Sequence, residues 1–228
     1  MSDAAGRPYH LQVGPGDLGG FVLLPGDPGR VERIARLLDQ PWHIASNREF
    51  TTWTGALAGV PVSVTSTGIG GPSTAIAVEE LCDLGAHTLV RVGTCGGMQP
   101  AVGLGDLVLA QAAVRDEGTS AQYVPAAWPA TAHVTVLDAL RGAAAARGVR
   151  HHVGTVQSKD SFYGEMRPGR MPVAAELEAR WRAWVAAGVL ACVNATPVQT
   201  AMPAPEELDL DDLLGVAVDA VRRLVEAG

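Results

Sequence analysis

The chain has 228 residues, 47% hydrophobic and 18% charged, with a formal net charge of −7 and a mean hydropathy of +0.15. This composition suits one large domain or two small ones with a buried core, and it excludes a disordered chain and a generic polyanion binder, whose affinity rests on cationic neutralisation of phosphates. Cys82, Cys95 and Cys192 share no CxxC spacing, no secretory leader is read, and no apolar run reaches the ~18–20 residues of a bilayer span; the expectation is a cytoplasmic protein without disulfides, structural zinc or membrane contact.

In chain order, Phe21–Pro25 reads as a buried strand that ends in the turn Gly26-Asp27-Pro28-Gly29-Arg30 and feeds a helix through Leu38. Phe50–Leu57 and Val60–Ser66 flank Ala58-Gly59, a hairpin signal. Thr67–Pro72 is a second glycine-rich turn before a helical stretch, Ser73–Leu84. The strand Thr88–Val92 stops at a third such turn, Gly93-Thr94-Cys95-Gly96-Gly97. Leu107–Val114 reads as a strand, His133–Arg147 as a helix and His151–Ser158 as a strand followed by a loop through Met171. Val173–Ala187 is helical with Trp181 and Trp184 on one face, Val189–Val193 is a short apolar run, and Leu210–Val225 carries the apolar stripe of a closing helix. Strands alternating with helices define an α/β class with a mixed, largely buried central sheet, read as one domain over residues 1–228.

Of the 17 basic residues only Lys159 is a lysine, and an arginine fork matches planar oxyanions. Three strands end in glycine turns, where backbone N–H groups and helix N-termini can approach an anion. Arg30 and Arg91 lie at or beside two of them, and Thr94 offers a hydroxyl, which outlines an oxyanion site. No P-loop, dinucleotide fingerprint or GxSxG elbow is present. His151 and His152, adjacent on a strand, point to opposite faces and make a poor metal pair, and Cys95 reads as a small packed thiol.

Leu24–Val31, Ser46–Trp53, Ser66–Ser73 and Arg91–Gly96, in this order and spacing, resemble the nucleoside phosphorylases, in particular the uridine phosphorylase branch. The resemblance implies phosphorolysis of a nucleoside to free base and ribose 1-phosphate, with inorganic phosphate as co-substrate and neither metal nor organic cofactor. It implies a phosphate site of Gly26, Arg30, Arg48, Arg91 and Thr94, with Arg48 supplied by a neighbouring subunit. A homodimer would then be the minimal unit, and the branch usually assembles three dimers into a hexamer. Nucleoside contacts would come from His10, which would reach across the same interface to the ribose 5′-hydroxyl, and from Ile69, Cys95, Gly96, Phe162, Glu165 and Arg167. Arg30, Arg91, Thr94 and Arg167 are the expected catalytic groups, Arg167 by helping the base leave as an anion. Glu165 stands where many members carry glutamine, which leaves a purine or broad-specificity phosphorylase open, and a hydrolytic nucleosidase is the more distant relative.

The chain departs from this pattern at Ala191–Cys192. There the family has a Glu-Met-Glu stretch that grips the ribose hydroxyls, a helix and the start of the next strand, roughly 20–25 residues that this sequence lacks. The run Val189–Asn194 cannot serve as both parallel strands, since joining those takes about a dozen residues or more. Two explanations stand open: a chain that truly lacks the segment, which would make it a non-catalytic homologue, and a sequence that skips residues of an intact enzyme, which the smooth match on both sides of the junction favours. A catalytic phosphorylase is the main expectation.

Overall fold

The computed structural model describes residues 3–192 and 209–227, and its architecture is α/β, with mixed sheets flanked by helices. The described residues form two compact units, up to Gly93 together with Leu213 onward, and Thr94–Asp212.

In the first unit the run Phe21–Pro25 is strand β1, and its residues Val22, Leu23 and Leu24 are buried. Pro25 ends it; a 3-10 turn, Pro28–Arg30, and a single helical segment α1, Val31–Ala35, follow. The helix expected through Leu38 is therefore shorter, because the chain must turn back into strand β2, Asp39–Asn47, which sequence reading missed. Proline, charge and weak alternation hide β2; its pairing is also broken by bulges, and most of its residues are exposed or half-buried. Strands β3, Phe50–Leu57, and β4, Val60–Thr65, form the expected hairpin around Ala58 (φ +50°) and Gly59 (φ +81°), both in the left-handed region that such two-residue turns require. Helix α2, Gly71–Asp83, opens with Pro72 at its first turn and buries Ala77 and Leu81. Strand β5, Thr88–Val92, completes a sheet of order β2-β3-β4-β1-β5, in which β1 runs parallel to both β4 and β5. Its core gathers Leu11, Val13, Val22, Leu24, Phe50, Ala77 and Leu81. The final helix, α6, Asp211–Ala227, begins before Leu213 but belongs mostly to this unit and buries Leu214, Ala217, Val218 and Val221. That is the stripe its sequence period predicts.

The second unit holds β6, Gly96–Gly97; β7, Leu107–Asp116; helix α3, Val134–Arg147; β8, His151–Lys159; helix α4, Phe162–Met166; helix α5, Ala174–Ala186; and β9, Ala191–Cys192. The sheet order is β6-β9-β8-β7. The stretch expected as a loop through Met171 contains α4 and a 3-10 turn, Pro168–Arg170. Ser161 nucleates α4 by accepting the Gly164 N–H at 3.0 Å, a cap that a short glycine-bearing run does not advertise. Ala191 and Cys192 are consecutive residues of one strand, parallel to β8 and antiparallel to β6. The strand therefore follows α5 as the return of a crossover from β8, and Val193 and Asn194 lie outside the described residues. Trp181 and Trp184 share a face, as expected, and pack on Met98, Val189 and Cys192. Their indole nitrogens, with Gln157 Oε1, are buried without a hydrogen-bond partner among the described residues, a cost of about 1–3 kcal/mol each in desolvation.

Ala58 sits in a conformation that costs a non-glycine residue free energy. Ala58→Gly is expected to raise the stability of the first unit by roughly 0.5–1 kcal/mol, the relief of that strain less the extra freedom of unfolded glycine. An upward shift of the urea midpoint without a change of slope is the signature.

Candidate active site

Because β1 is parallel to β4 and β5, the carboxyl ends of all three strands reach one edge of the first sheet. The Thr67 N–H donates to the Pro25 carbonyl at 2.9 Å and ties the exit of β4 to that of β1. Strand β3 is antiparallel to β4, so its start, and the Arg48-Glu49 turn before it, lies at the same edge. The Ser66 hydroxyl accepts the Thr51 N–H at 2.8 Å and donates to the Glu49 carbonyl at 2.7 Å, which fixes that turn.

The residues expected to hold phosphate gather here as far as they belong to this unit. A Cβ on Gly26 would stand 3.8 Å from the Arg91 guanidinium and 3.2 Å from the Gly68 carbonyl; one on Gly93 would stand 2.5 Å from Arg91 Nη1. Arg91 therefore lies against two glycines, and at Gly93 a side chain would collide with it. Gly68 has φ +69°, and a Cβ there would meet Glu49 Cγ at 2.6 Å. Arg30 is mostly buried, with Nε 3.8 Å from Asp27, whose carboxylate caps the turn by accepting the Gly29 N–H at 2.8 Å. Arg48 is exposed at φ +55°, a strained value for a non-glycine residue, and its guanidinium carbon lies 5.7 Å from the Tyr9 ring centroid. Ile69, between two left-handed glycines, is 96% exposed.

Two carboxylates organise this edge and were given no role from sequence. Glu49 accepts from the Ser73 hydroxyl at 2.7 Å. That bond first, then its own backbone N–H and the charges of Arg48 and His10, hold its carboxyl below the ordinary value against some desolvation. Glu80 binds His10 through the ring, Nδ1 to Oε1 at 2.6 Å. Glu49 lies in a run whose motif value was visible and Glu80 in the helical stretch after another, but only the fold brings them to these partners.

In the second unit Thr94 and Cys95 are exposed, which corrects the reading of Cys95 as a packed thiol: the glycine turn lays it on the surface instead of in the core. Gly96 is buried and pairs with Cys192. Phe162 is half-buried at the start of α4, its ring 5.2 Å from that of Tyr163; Glu165 lies within α4, and exposed Arg167 ends it. His151 bonds to the Val149 carbonyl and His152 to Asp106 at 2.8 Å. Among the described residues no group of three His, Cys, Asp or Glu could hold a metal ion, and no helix is long and apolar enough to cross a membrane.

Residues 21–193 match the sequence profile of the Phosphorylase superfamily. The chain is 54% identical over 183 residues to the uridine phosphorylase of Treponema pallidum, covering 80% of this chain and 71% of that protein. It is 56% identical over 165 residues to the uridine phosphorylase of Thermococcus kodakarensis, covering 72% and 60%, so it spans less than two thirds of that relative. With the uridine phosphorylase of Escherichia coli it shares 42% identity over 222 residues, 94% and 87% of the two chains. The chain belongs to the Phosphorylase superfamily and, within it, to the uridine phosphorylase branch.

Glu49 gives this edge a pH signature. Its lowered carboxyl stabilises the fold above the ordinary glutamate value of 4.5, and the contribution disappears as pH falls through the folded value. Urea midpoints of the native chain and of Glu49→Gln are expected to differ at neutral pH and to converge on acidification; a constant difference would refute the assignment.

Proposed function

We propose that the chain is a pentosyltransferase that catalyses the reversible phosphorolysis of uridine to uracil and ribose 1-phosphate, in pyrimidine salvage. Phosphate is the co-substrate, and the reaction needs neither metal nor organic cofactor. The observation that carries this reading is the gathering of Gly26, Gly68 and Arg91 at one sheet edge, with Arg30 at the turn after β1. A phosphate dianion in such a place meets fixed guanidinium donors, and donors already oriented cost no reorganisation as charge moves in the transition state.

In the proposed reaction a phosphate oxygen bonds to the anomeric carbon as the bond to N1 of uracil breaks. The electron pair of that bond leaves with uracil, whose carbonyl charge Arg167 stabilises, and positive charge builds on the sugar in between. Phosphate is assigned to Gly26, Arg30, Arg48, Arg91 and Thr94; His10, Ile69, Cys95, Gly96, Phe162, Glu165 and Arg167 are assigned to the nucleoside. The resemblance of their sequence runs supports these roles. The direct Ala191–Cys192 link leaves no residues for the ribose-gripping stretch, so the proposed site binds the sugar through fewer partners, and a high KM for uridine is the expected consequence. We further propose a cytoplasmic homo-oligomer, built from dimers in which Arg48 serves the partner's site. A hexamer of three dimers is the assembly the resemblance supports.

Phosphate-dependent release of uracil from uridine is the direct test; absence of turnover, or equal turnover without phosphate, refutes the proposal. Arg91→Ala is expected to lower kcat/KM by about 10²–10³-fold, the range for removal of a preorganised oxyanion donor. Mixing Arg48→Ala and Arg91→Ala chains, each inactive alone, is expected to restore about a quarter of the native activity, since half the random dimers are mixed and each holds one intact site. No recovery on mixing would place Arg48 in its own chain's site.

A further inference from the structure

The N-terminal segment is held by a clamp centred on His10. Glu80, near the end of α2, accepts the Leu11 N–H at 2.8 Å, the His10 N–H at 3.2 Å and the His10 ring at Nδ1, 2.6 Å away. The amide of Asn47 donates to the His10 carbonyl at 2.8 Å. The backbone of His10 is thus gripped at both its donor and its acceptor, and its ring at one nitrogen. Little of this is wet: the side chains of His10 and Glu80 are 28% and 15% exposed. Asn47 immediately precedes Arg48, whose guanidinium faces the ring of Tyr9, the residue before His10. Two groups that the proposed function assigns to different substrates, His10 and Arg48, are therefore tied together twice.

The chemistry of the clamp fixes a proton. Both oxygens of Glu80 accept backbone N–H groups, and an ionised carboxylate only accepts, so Nδ1 of His10 carries a hydrogen. Nε2 is then the ring nitrogen left for a ligand, and it has no partner among the described residues. A histidine whose tautomer is set by a carboxylate presents its other nitrogen in one direction and, when neutral, as an acceptor.

We propose that Glu80 is a positioning residue for the nucleoside: it fixes the Nδ1–H tautomer and the ring plane of His10, so that Nε2 accepts the proton of the ribose 5′-hydroxyl. Asn47 anchors the backbone of that same histidine to the Arg48 turn. This inference rests on the assignment of His10 to the nucleoside made above.

Long-range proton–nitrogen spectra of the chain labelled at its histidines, with the His10 signal assigned through His10→Ala, read the tautomer without any turnover. The expected result is Nδ1–H with bare Nε2 in the neutral ring of the native chain, and a mixture of tautomers in Glu80→Gln. In kinetics, Glu80→Gln is expected to raise KM for uridine about tenfold, the effect of one misplaced hydrogen bond, with kcat little changed. For 5′-deoxyuridine, which has no hydroxyl to meet the ring, Glu80→Gln and the native chain are expected to share one KM. Asn47→Ala should show a smaller rise with the same dependence on the hydroxyl. An Nε2–H tautomer in the native chain, no rise in KM, or an equal rise for both nucleosides overturns the proposal; the last outcome would make Glu80 a structural strap only. If Glu80→Gln does not fold, the native tautomer and Asn47→Ala decide. If the native chain does not cleave uridine, the functional reading falls, and the tautomer alone tests what Glu80 does to His10.

Discussion

The candidate site depends on one feature of strand pairing: β1 runs parallel to both of its neighbours. Parallel strands in register leave a sheet at the same edge, so the glycine turns after β1, β4 and β5 have to meet. The bond from the Thr67 N–H to the Pro25 carbonyl continues the ladder one step past the strands and fixes that meeting. Everything else at this edge is adjusted to the resulting crowding. Gly93 is small because Arg91 folds against it, and Gly68 lacks a side chain because Glu49 and Ser73 occupy the space. Arg48 accepts a strained backbone, worth about 1–3 kcal/mol, because a two-residue turn is all that the β2–β3 hairpin leaves.

What the sequence made legible follows the same division between local and distant causes. Strands β1, β3, β4, β5, β7 and β8 and helices α2, α3, α5 and α6 announce themselves through period, turn chemistry and caps, all of which act within a few residues. Strand β2 did not, since its only strong reason to be extended is β3, which arrives later in the chain. Strand β6 has two glycines and no apolar signal, and exists because β9 pairs with it. Helix α4 depends on a single serine cap. At the candidate edge, the placement of Gly26, Arg30 and Arg91 was legible because glycine turns after apolar runs have a local signature. Glu80 and Asn47 were not, since each acts on a residue between 37 and 70 positions away.

The second sheet takes in a strand of only two residues after α5. The segment Ala191–Cys192 follows α5 and pairs with β8 in parallel, so it acts as the strand at the end of a right-sized crossover. A strand of two residues offers little backbone pairing, and the burial of Ala191, Cys192 and Val189 beneath the two tryptophans supplies what the ladder does not. Among the described residues three buried polar atoms here have no partner, on Gln157, Trp181 and Trp184. Among the described residues, this interface, with two donors and an acceptor unpaired close to a two-residue strand, is where the fold departs from an optimised core.

The charge at the phosphate edge resolves an apparent conflict in the composition. The chain as a whole carries −7, yet the proposed substrate is a dianion. Local charge decides, because screening in salt confines such interactions to about 8–10 Å. Near this edge Arg30 stands by Asp27, and Arg48 by Glu49. Asp27 is engaged in capping the Gly29 turn and lies 3.8 Å from Arg30, so its charge is answered where it stands. Glu49 would repel an arriving phosphate if its charge were loose. It is instead bound to the Ser73 hydroxyl and lies within the field of Arg48. Arg91 lies against Gly26 and Gly93 at the same edge. An acidic protein can therefore offer a cationic edge, provided its carboxylates there are occupied by the fold, and in this chain both are.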